Sequence, residues 1–160
     1  MTEQVSLSGS CAFRLMPTDD LVEAPSQLTV NPVGDGQLAC SYTWSHPGDG
    51  PQHGLLLISG PDPQGDVTAS WADSWHQQPD LLTLSGPRTG DTVELSAVYA
   101  GEWGWQISLQ LLPGAASMTM RNVIPESAVG PAASDAAPDA PPLPAGPYPV
   151  MVATWSAPAS

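Results

Sequence analysis

Between residues 91 and 124 apolar and polar side chains alternate with a period of two, interrupted at Ala100-Gly101-Glu102 and at Pro113-Gly114. This pattern predicts three strands, 91–99, 103–112 and 116–124, joined as two hairpins. A three-residue loop at the first turn sets Tyr99 opposite Trp103, Ala97 opposite Trp105, Leu95 opposite Ile107 and Val93 opposite Leu109, all on one face. A loop of even length at the second turn adds Met118, Met120, Asn122 and Ile124 to that face. Glu94, Ser96, Gln106, Ser108, Gln110, Thr119 and Arg121 then fall on the reverse. Three strands that agree on an apolar inside and a polar outside describe an antiparallel sheet buried on one side.

The remainder of the chain reads in the same way. Residues 11–16 alternate around Cys11, Phe13 and Leu15 until Pro17 ends the strand. Thr18-Asp19-Asp20 suits the cap of a single helical turn through Leu21 and Val22, which Pro25 stops. A short strand is expected around Leu28 and Val30, then a turn over 31–36. Residues 37–46 place Leu38, Cys40, Tyr42, Trp44 and His46 on one heavily aromatic face. A loop over 47–52, strands at 54–59, 67–73, 81–85 and 148–156, and a turn at 74–79 complete the pattern. Residues 126–147 are rich in Ala, Pro, Gly, Ser and Asp and carry one large apolar side chain, Leu143, too little to offset the entropy of ordering them. They read as a flexible loop, dispensable for folding, inserted before the last strand of a single domain spanning 1–160.

About ten short strands with little helix define an all-β chain. Hairpin succession favours a single antiparallel up-and-down β-barrel, which closes its own edges, over a two-sheet sandwich that leaves edges exposed. The strand count, Phe13-Arg14, Trp71-Ala72-Asp73-Ser74-Trp75-His76, Gly101-Glu102-Trp103-Gly104-Trp105, Met120-Arg121-Asn122-Val123-Ile124-Pro125 and Tyr148-Pro149-Val150-Met151-Val152-Ala153 carry a resemblance. The chain resembles the calycin group of lipocalins, fatty-acid-binding proteins and their bacterial relatives, and within it an uncharacterised bacterial domain family. The resemblance covers most of the chain outside the Ala/Pro segment and implies a calycin-like barrel. The chain lacks the Gly-X-Trp start of true lipocalins and the helix-turn-helix lid of fatty-acid-binding proteins, so the ligand class of neither group carries over.

Charge narrows the partners. Sixteen acidic residues face three cations, Arg14, Arg88 and Arg121, with no lysine, for a formal net charge of -13. Nucleic acid is excluded as a partner, because affinity for phosphate backbones needs clustered cations, and an anionic membrane surface is disfavoured for the same reason. Residues 1–9 carry no positive charge and no apolar core, unlike a secretory signal, and the longest aliphatic run, 55–58, is too short to span a bilayer. A cytoplasmic location is the expectation. Cys11 and Cys40 sit in apolar strand patterns and read as small buried hydrophobes, at a spacing that fits no zinc motif.

Six Trp and three Tyr dominate the candidate chemistry. Tyr42, Trp44, Trp71, Tyr99, Trp103, Trp105 and Met120, all expected inward, either fill a small barrel or line an apolar cavity. Ala97 opposite Trp105 leaves space for a ring or a ligand. Asn122, an amide in the inward register, must find a hydrogen-bonding partner in a turn, a water or a ligand. Asp73-Ser74-Trp75-His76 contains the residue types of a hydrolase triad, but adjacent residues do not converge on one oxyanion site, and no nucleophile elbow is present. Asp73 or Ser74 capping a turn, with His76 at the barrel mouth, is the simpler reading. His76 remains the foremost functional imidazole, suited to polarising a carbonyl or binding a metal or haem. His46 and His53 flank the 47–52 loop and, as hairpin partners, would face each other as two ligands of a metal site.

Three functions follow. The foremost is a protein binding a small apolar or amphipathic ligand against aromatic side chains. The second is an enzyme using His76 with Asp73 or Asn122. The third is an interaction module with a solid barrel. The leading reading assigns no catalytic residue and no metal, and it leaves the cofactor and the oligomeric state open.

Overall fold

The computed structural model describes residues 3–129 and 143–158 and shows a closed antiparallel barrel of ten strands. The strands are β1 (Val5–Phe13), β2 (Val22–Gly34), β3 (Gln37–His46), β4 (Gly50–Ile58) and β5 (Asp66–Asp73). They continue with β6 (Gln77–Thr89), β7 (Thr92–Tyr99), β8 (Trp103–Leu112), β9 (Ala115–Ile124) and β10 (Gly146–Ser156). Each strand pairs with its neighbours in sequence, and β1 closes the cylinder by pairing with β10, Cys11 against Ala153 and Phe13 against Met151. This is the up-and-down barrel the alternation predicts, and its architecture is consistent with a calycin-like fold.

The register of the central hairpins matches the sequence expectation pair for pair: Tyr99 with Trp103, Ala97 with Trp105, Leu95 with Ile107 and Val93 with Leu109. The three-residue connection is made possible by Gly101 at φ +85, a left-handed conformation that glycine adopts without a side-chain penalty. Val93, Leu95, Trp105, Ile107, Leu109, Met118, Met120 and Ile124 are buried, whereas Glu94, Ser96 and Gln110 are exposed.

Elsewhere the strands run further than expected. β1 begins at Val5 and ends at Phe13; β2 is continuous from Val22, without the helical turn suggested for Leu21 and Val22; and β6 extends from Gln77 through Thr89. Proline explains the misreading. Pro25 pairs with β1 at a point where β2 has not yet met β3, and Pro51 pairs with β3 before β4 meets β5. A strand with one open side has no ladder bond for proline to remove there, so it continues past the residue that ends it on paper.

The expected 126–147 loop coincides largely with 130–142, outside the described residues; Glu126–Val129 form one 3-10 turn, and β10 starts two residues earlier than the expected Tyr148. No helix among the described residues is long and apolar enough to cross a membrane.

The two ends of the barrel differ. Turns at 35–36, 90–91 and 113–114 cap one end, over an aliphatic core that includes Val30, Ile58, Val67, Val93 and Leu109. Turns at 47–49, 74–76 and 100–102 surround the other end, where the buried side chains include Phe13, Tyr42, Trp44, Trp71 and Trp105. The β6–β7 ladder stays near the aliphatic end, with pairs Ser85–Ser96, Arg88–Val93 and Thr89–Thr92. The barrel wall is therefore least tightly laced beside the aromatic mouth.

Candidate functional site

Asp73 ends β5 at this mouth and is 2% exposed, a carboxylate that must be fully hydrogen-bonded to remain charged in such a place. Its Oδ2 accepts from the Tyr42 hydroxyl and from Trp44 Nε1, both at 3.0 Å. Its Oδ1 accepts from the backbone N–H groups of Trp75 and His76, each at 3.0 Å, and from His76 Nδ1 at 3.3 Å. Burial pushes the Asp73 carboxyl upward, but the His76 side chain and backbone and the Trp75 N–H outweigh it and hold the group below its ordinary value. Asp73 is thus an anion, and it caps the 74–76 turn as the sequence suggests.

The bonds to Asp73 radiate outward. Trp71 Nε1 donates to the Tyr42 hydroxyl at 2.9 Å, so β3 and β5 are tied through three polar-tipped rings. Burial, then the Asp73 charge, pushes the Tyr42 phenol well above its ordinary value, so it serves as a fixed donor. Gly54 lies opposite Tyr42 on β4, and a Cβ there would collide with the Tyr42 ring. The tyrosine occupies that place because the facing residue has no side chain.

His76 Nδ1 faces the ionised Asp73 carboxylate at 3.3 Å, a contact that fixes the orientation of the imidazole ring. The His76 side chain is only 7% exposed, yet Nε2 has no hydrogen-bonding partner. The same is true of Nε1 of Trp105, 5% exposed, whose ring stacks on Trp71 at 4.9 Å and 15°. These are the two unpartnered buried side-chain polar atoms among the described residues, and their rings lie 5.5 Å apart.

Both residues line one cavity of about 190 Å³ at the mouth. Trp71, Trp75, Tyr99 and Tyr148 supply its other aromatic walls, Leu15, Leu82 and Val150 its aliphatic ones, and Gln77 and Asn122 its remaining polar edge. Asn122 is paired: its Oδ1 accepts from the Tyr99 hydroxyl at 2.8 Å and its Nδ2 donates to the Tyr148 hydroxyl at 3.3 Å. Tyr148 in turn donates to the Leu15 carbonyl at 2.8 Å. Burial and the neighbouring Tyr148 raise the Tyr99 phenol, against the opposing effect of the Asn122 bond.

Of the residues singled out in the sequence, Trp71, His76, Tyr99, Trp105 and Asn122 meet around this cavity. Tyr42 and Trp44 hold Asp73, and Met120 is wholly buried with its sulfur 3.9 Å from the Tyr42 hydroxyl. Ala97 packs partly against the core and borders an outer groove with Thr83, Val98 and Gly104, where β6 and β7 part. Trp103 is half-buried and does not line the cavity.

The expected His46–His53 pairing does not form. β3 and β4 turn within 47–49, so His46 meets Gly50 and His53 meets Thr43, on the exposed outer side. His46 instead accepts from the backbone N–H groups of Gly48 and Asp49 and stacks on Trp75 at 4.7 Å and 18°. No group of three or more potential metal-ligating side chains occurs among the described residues. Nor does Ser74 join His76: its hydroxyl donates to Gln52 Oε1 at 2.6 Å and accepts from the His53 N–H at 3.0 Å.

Two contributors to the aromatic mouth, of which Trp75 lines the cavity, escape the sequence-derived site. Trp75 sits in a turn where alternation assigns no face, and its Nε1 donates to Asp49 Oδ2 at 2.7 Å. Phe13 ends β1 and touches the rings of Trp44, His46, Trp75 and His76. The signal available for Phe13 was its inward phase in the first strand.

Fold and site together define an antiparallel β-barrel with a buried aliphatic core at one end and a small aromatic cavity at its mouth. No protein-family model matches the chain, and no curated protein matches it.

Proposed function

We propose that the protein binds a small, mostly apolar molecule in the mouth cavity, with His76 and Trp105 as its polar contacts. One observation carries this reading: His76 and Trp105, each with a buried ring nitrogen that has no protein partner, line the same aromatic-walled cavity. Leaving a buried polar group unpaired costs about 1 to 3 kcal/mol, and a ligand that pairs both relieves that cost on binding. The cavity is smaller than drug-sized sites, and a space of roughly 150 Å³ accommodates benzene, so the size supports a molecule of one ring. Tyr42, Trp44 and Asp73 act as positioning residues, holding the imidazole ring from behind.

The ligand-binding role, the cytoplasmic setting and the absence of nucleic-acid and membrane partners form one proposal, supported by the acidic charge and by the position of the cavity. Native mass spectrometry of protein purified from its own cells tests it. The expected result is a single non-covalent adduct of about 80 to 150 Da, the mass of a one-ring molecule. Bare chain, with unchanged mass after addition of benzene-sized compounds, would refute it.

A further inference from the structure

Each strand of the barrel turns alternate side chains outward, and over much of the wall those positions hold polar residues, such as Ser6, Ser8 and Ser10 on β1 and Gln106, Ser108 and Gln110 on β8. β4 differs. Its outward Leu55 and Leu57 are 47% and 48% exposed, and no other strand among the described residues carries two consecutive large apolar side chains in its outward phase. Their neighbours across the sheet are small: Leu57 stands between Ala39 of β3 and Ser70 of β5, and Leu55 between Ser41 and Ala72. The two leucines therefore form a ridge on a low floor. Beside Leu57 runs an outer groove of about 310 Å³, bordered by Val33, Thr68, Ser70 and Thr83, and none of its lining residues is charged. Adjacent exposed apolar side chains of this kind mark an interaction surface.

We propose that the outer face of β3, β4 and β5 is the interface of a homodimer, its occupant a second copy of this chain. Shape supports that occupant. A two-fold axis brings the same patch of both subunits together, so the patch must be self-complementary, and here ridge and groove adjoin on one face. Leu55 of each copy meets the groove of the other. Charge selects the same face. Two copies of net charge -13 repel each other wherever their carboxylates face, and most acidic residues lie in the turns and at the barrel ends, among them Asp35, Asp49, Asp62 and Glu102. The outward residues of β3 and β4, and those of β5 from Thr68 to Ala72, include no carboxylate and no arginine, and His53 is their one titratable group. Like-charged copies approach most closely where neither presents an anion. A basic partner would be drawn to the carboxylates instead, away from this face.

Sedimentation of the intact protein at neutral pH, from about 1 to about 500 µM, tests the assignment. The expected result is a monomer–dimer equilibrium with Kd in the micromolar range that tightens as salt is raised from about 0.05 to about 0.5 M, because salt screens the repulsion between copies. Leu57→Asp sets a carboxylate on both sides of the axis and should weaken the dimer at least about 10-fold. Leu57→Gln, a neutral change at a half-exposed position, should weaken it less and serves if the aspartate variant does not fold. Leu112→Asp, on β8 at 41% exposure, should leave the dimer in place. Monomer at every concentration and salt would overturn the proposal, as would a dimer that resists both Leu57 variants or that Leu112→Asp weakens equally. A dimer that loosens as salt rises would be held by ion pairs, which this face lacks, and would overturn it too.

Discussion

The two ends of the barrel share a wall and a strand register but solve different problems. At the aliphatic end, Val30, Ile58, Val67, Val93 and Leu109 carry no polar side-chain atoms and are at most 2% exposed. At the aromatic end, buried Tyr42, Trp44 and Trp71 each direct a polar atom into a network around Asp73. Burial at the first end stabilises the fold directly. At the second, part of that gain is committed to desolvating an anion and orienting an imidazole whose far nitrogen has no protein partner. Stability concentrates where the core is aliphatic, and specificity where it is polar and open.

The largest effect should come from removing the centre of the network. Asp73→Ala leaves the Tyr42 hydroxyl, Trp44 Nε1 and the 74–76 turn without their acceptor, and urea unfolding should show a loss of about 3 to 5 kcal/mol. A loss below about 1 kcal/mol would mean the mouth is as tolerant as an exposed surface. The same residue has an acid signature. Its folded value lies below the ordinary 3.8, so its contribution is fully present above about pH 5 and disappears as pH falls through the folded value. Stability measured from neutral to acid pH should therefore fall more steeply below about pH 4 in the wild type than in Asp73→Asn.

Leu109→Ala probes the aliphatic end. The residue is 1% exposed, and truncation should cost about 2 to 5 kcal/mol while leaving affinity for phenol, a one-ring probe of the mouth cavity, unchanged. Loss of binding in this variant would show that the two ends are coupled. Gly54→Ala is a smaller perturbation aimed at the mouth alone. Its methyl group meets the Tyr42 ring, so about 1 to 3 kcal/mol of strain and weaker phenol binding should appear together. A loss of about 1 to 2 kcal/mol is expected for Trp105→Phe, from the smaller ring against Trp71, because the indole N–H it removes has no protein partner to lose.

How far the sequence exposed each end follows from the range of the interactions. The central hairpins were legible because period-two alternation and a three-residue turn are local, and they settle register without reference to the rest of the chain. β2 and β6 were read too short because Pro25 and Pro79 look like strand breakers until the partner on each side is known. The inward phase of Trp71, Tyr99, Trp105 and Asn122 could be read one strand at a time, and all four reach the cavity. The Asp73 network could not, because Tyr42 and Trp44 arrive from β3, 31 and 29 residues earlier. Ala97 has the expected partner, Trp105, but alternation carries no sign that β6 parts from β7 beside it. His46 and His53 were misplaced by turn length alone: a turn at 47–49 in place of 47–52 moves His53 to the outer face.

The most direct measurement of the central claim is a proton–nitrogen spectrum of the six tryptophan indoles during phenol titration. Trp155 Nε1 donates to Ser26 Oγ at 2.8 Å, away from the cavity, and serves as the internal reference. The indole signals of Trp105, Trp71 and Trp75, which line the cavity, should shift saturably, with Trp105 moving furthest as its N–H gains an acceptor, while Trp155 stays in place. A Trp105 signal that does not move, or shifts spread equally over Trp105 and Trp155, would contradict a binding site at the aromatic mouth.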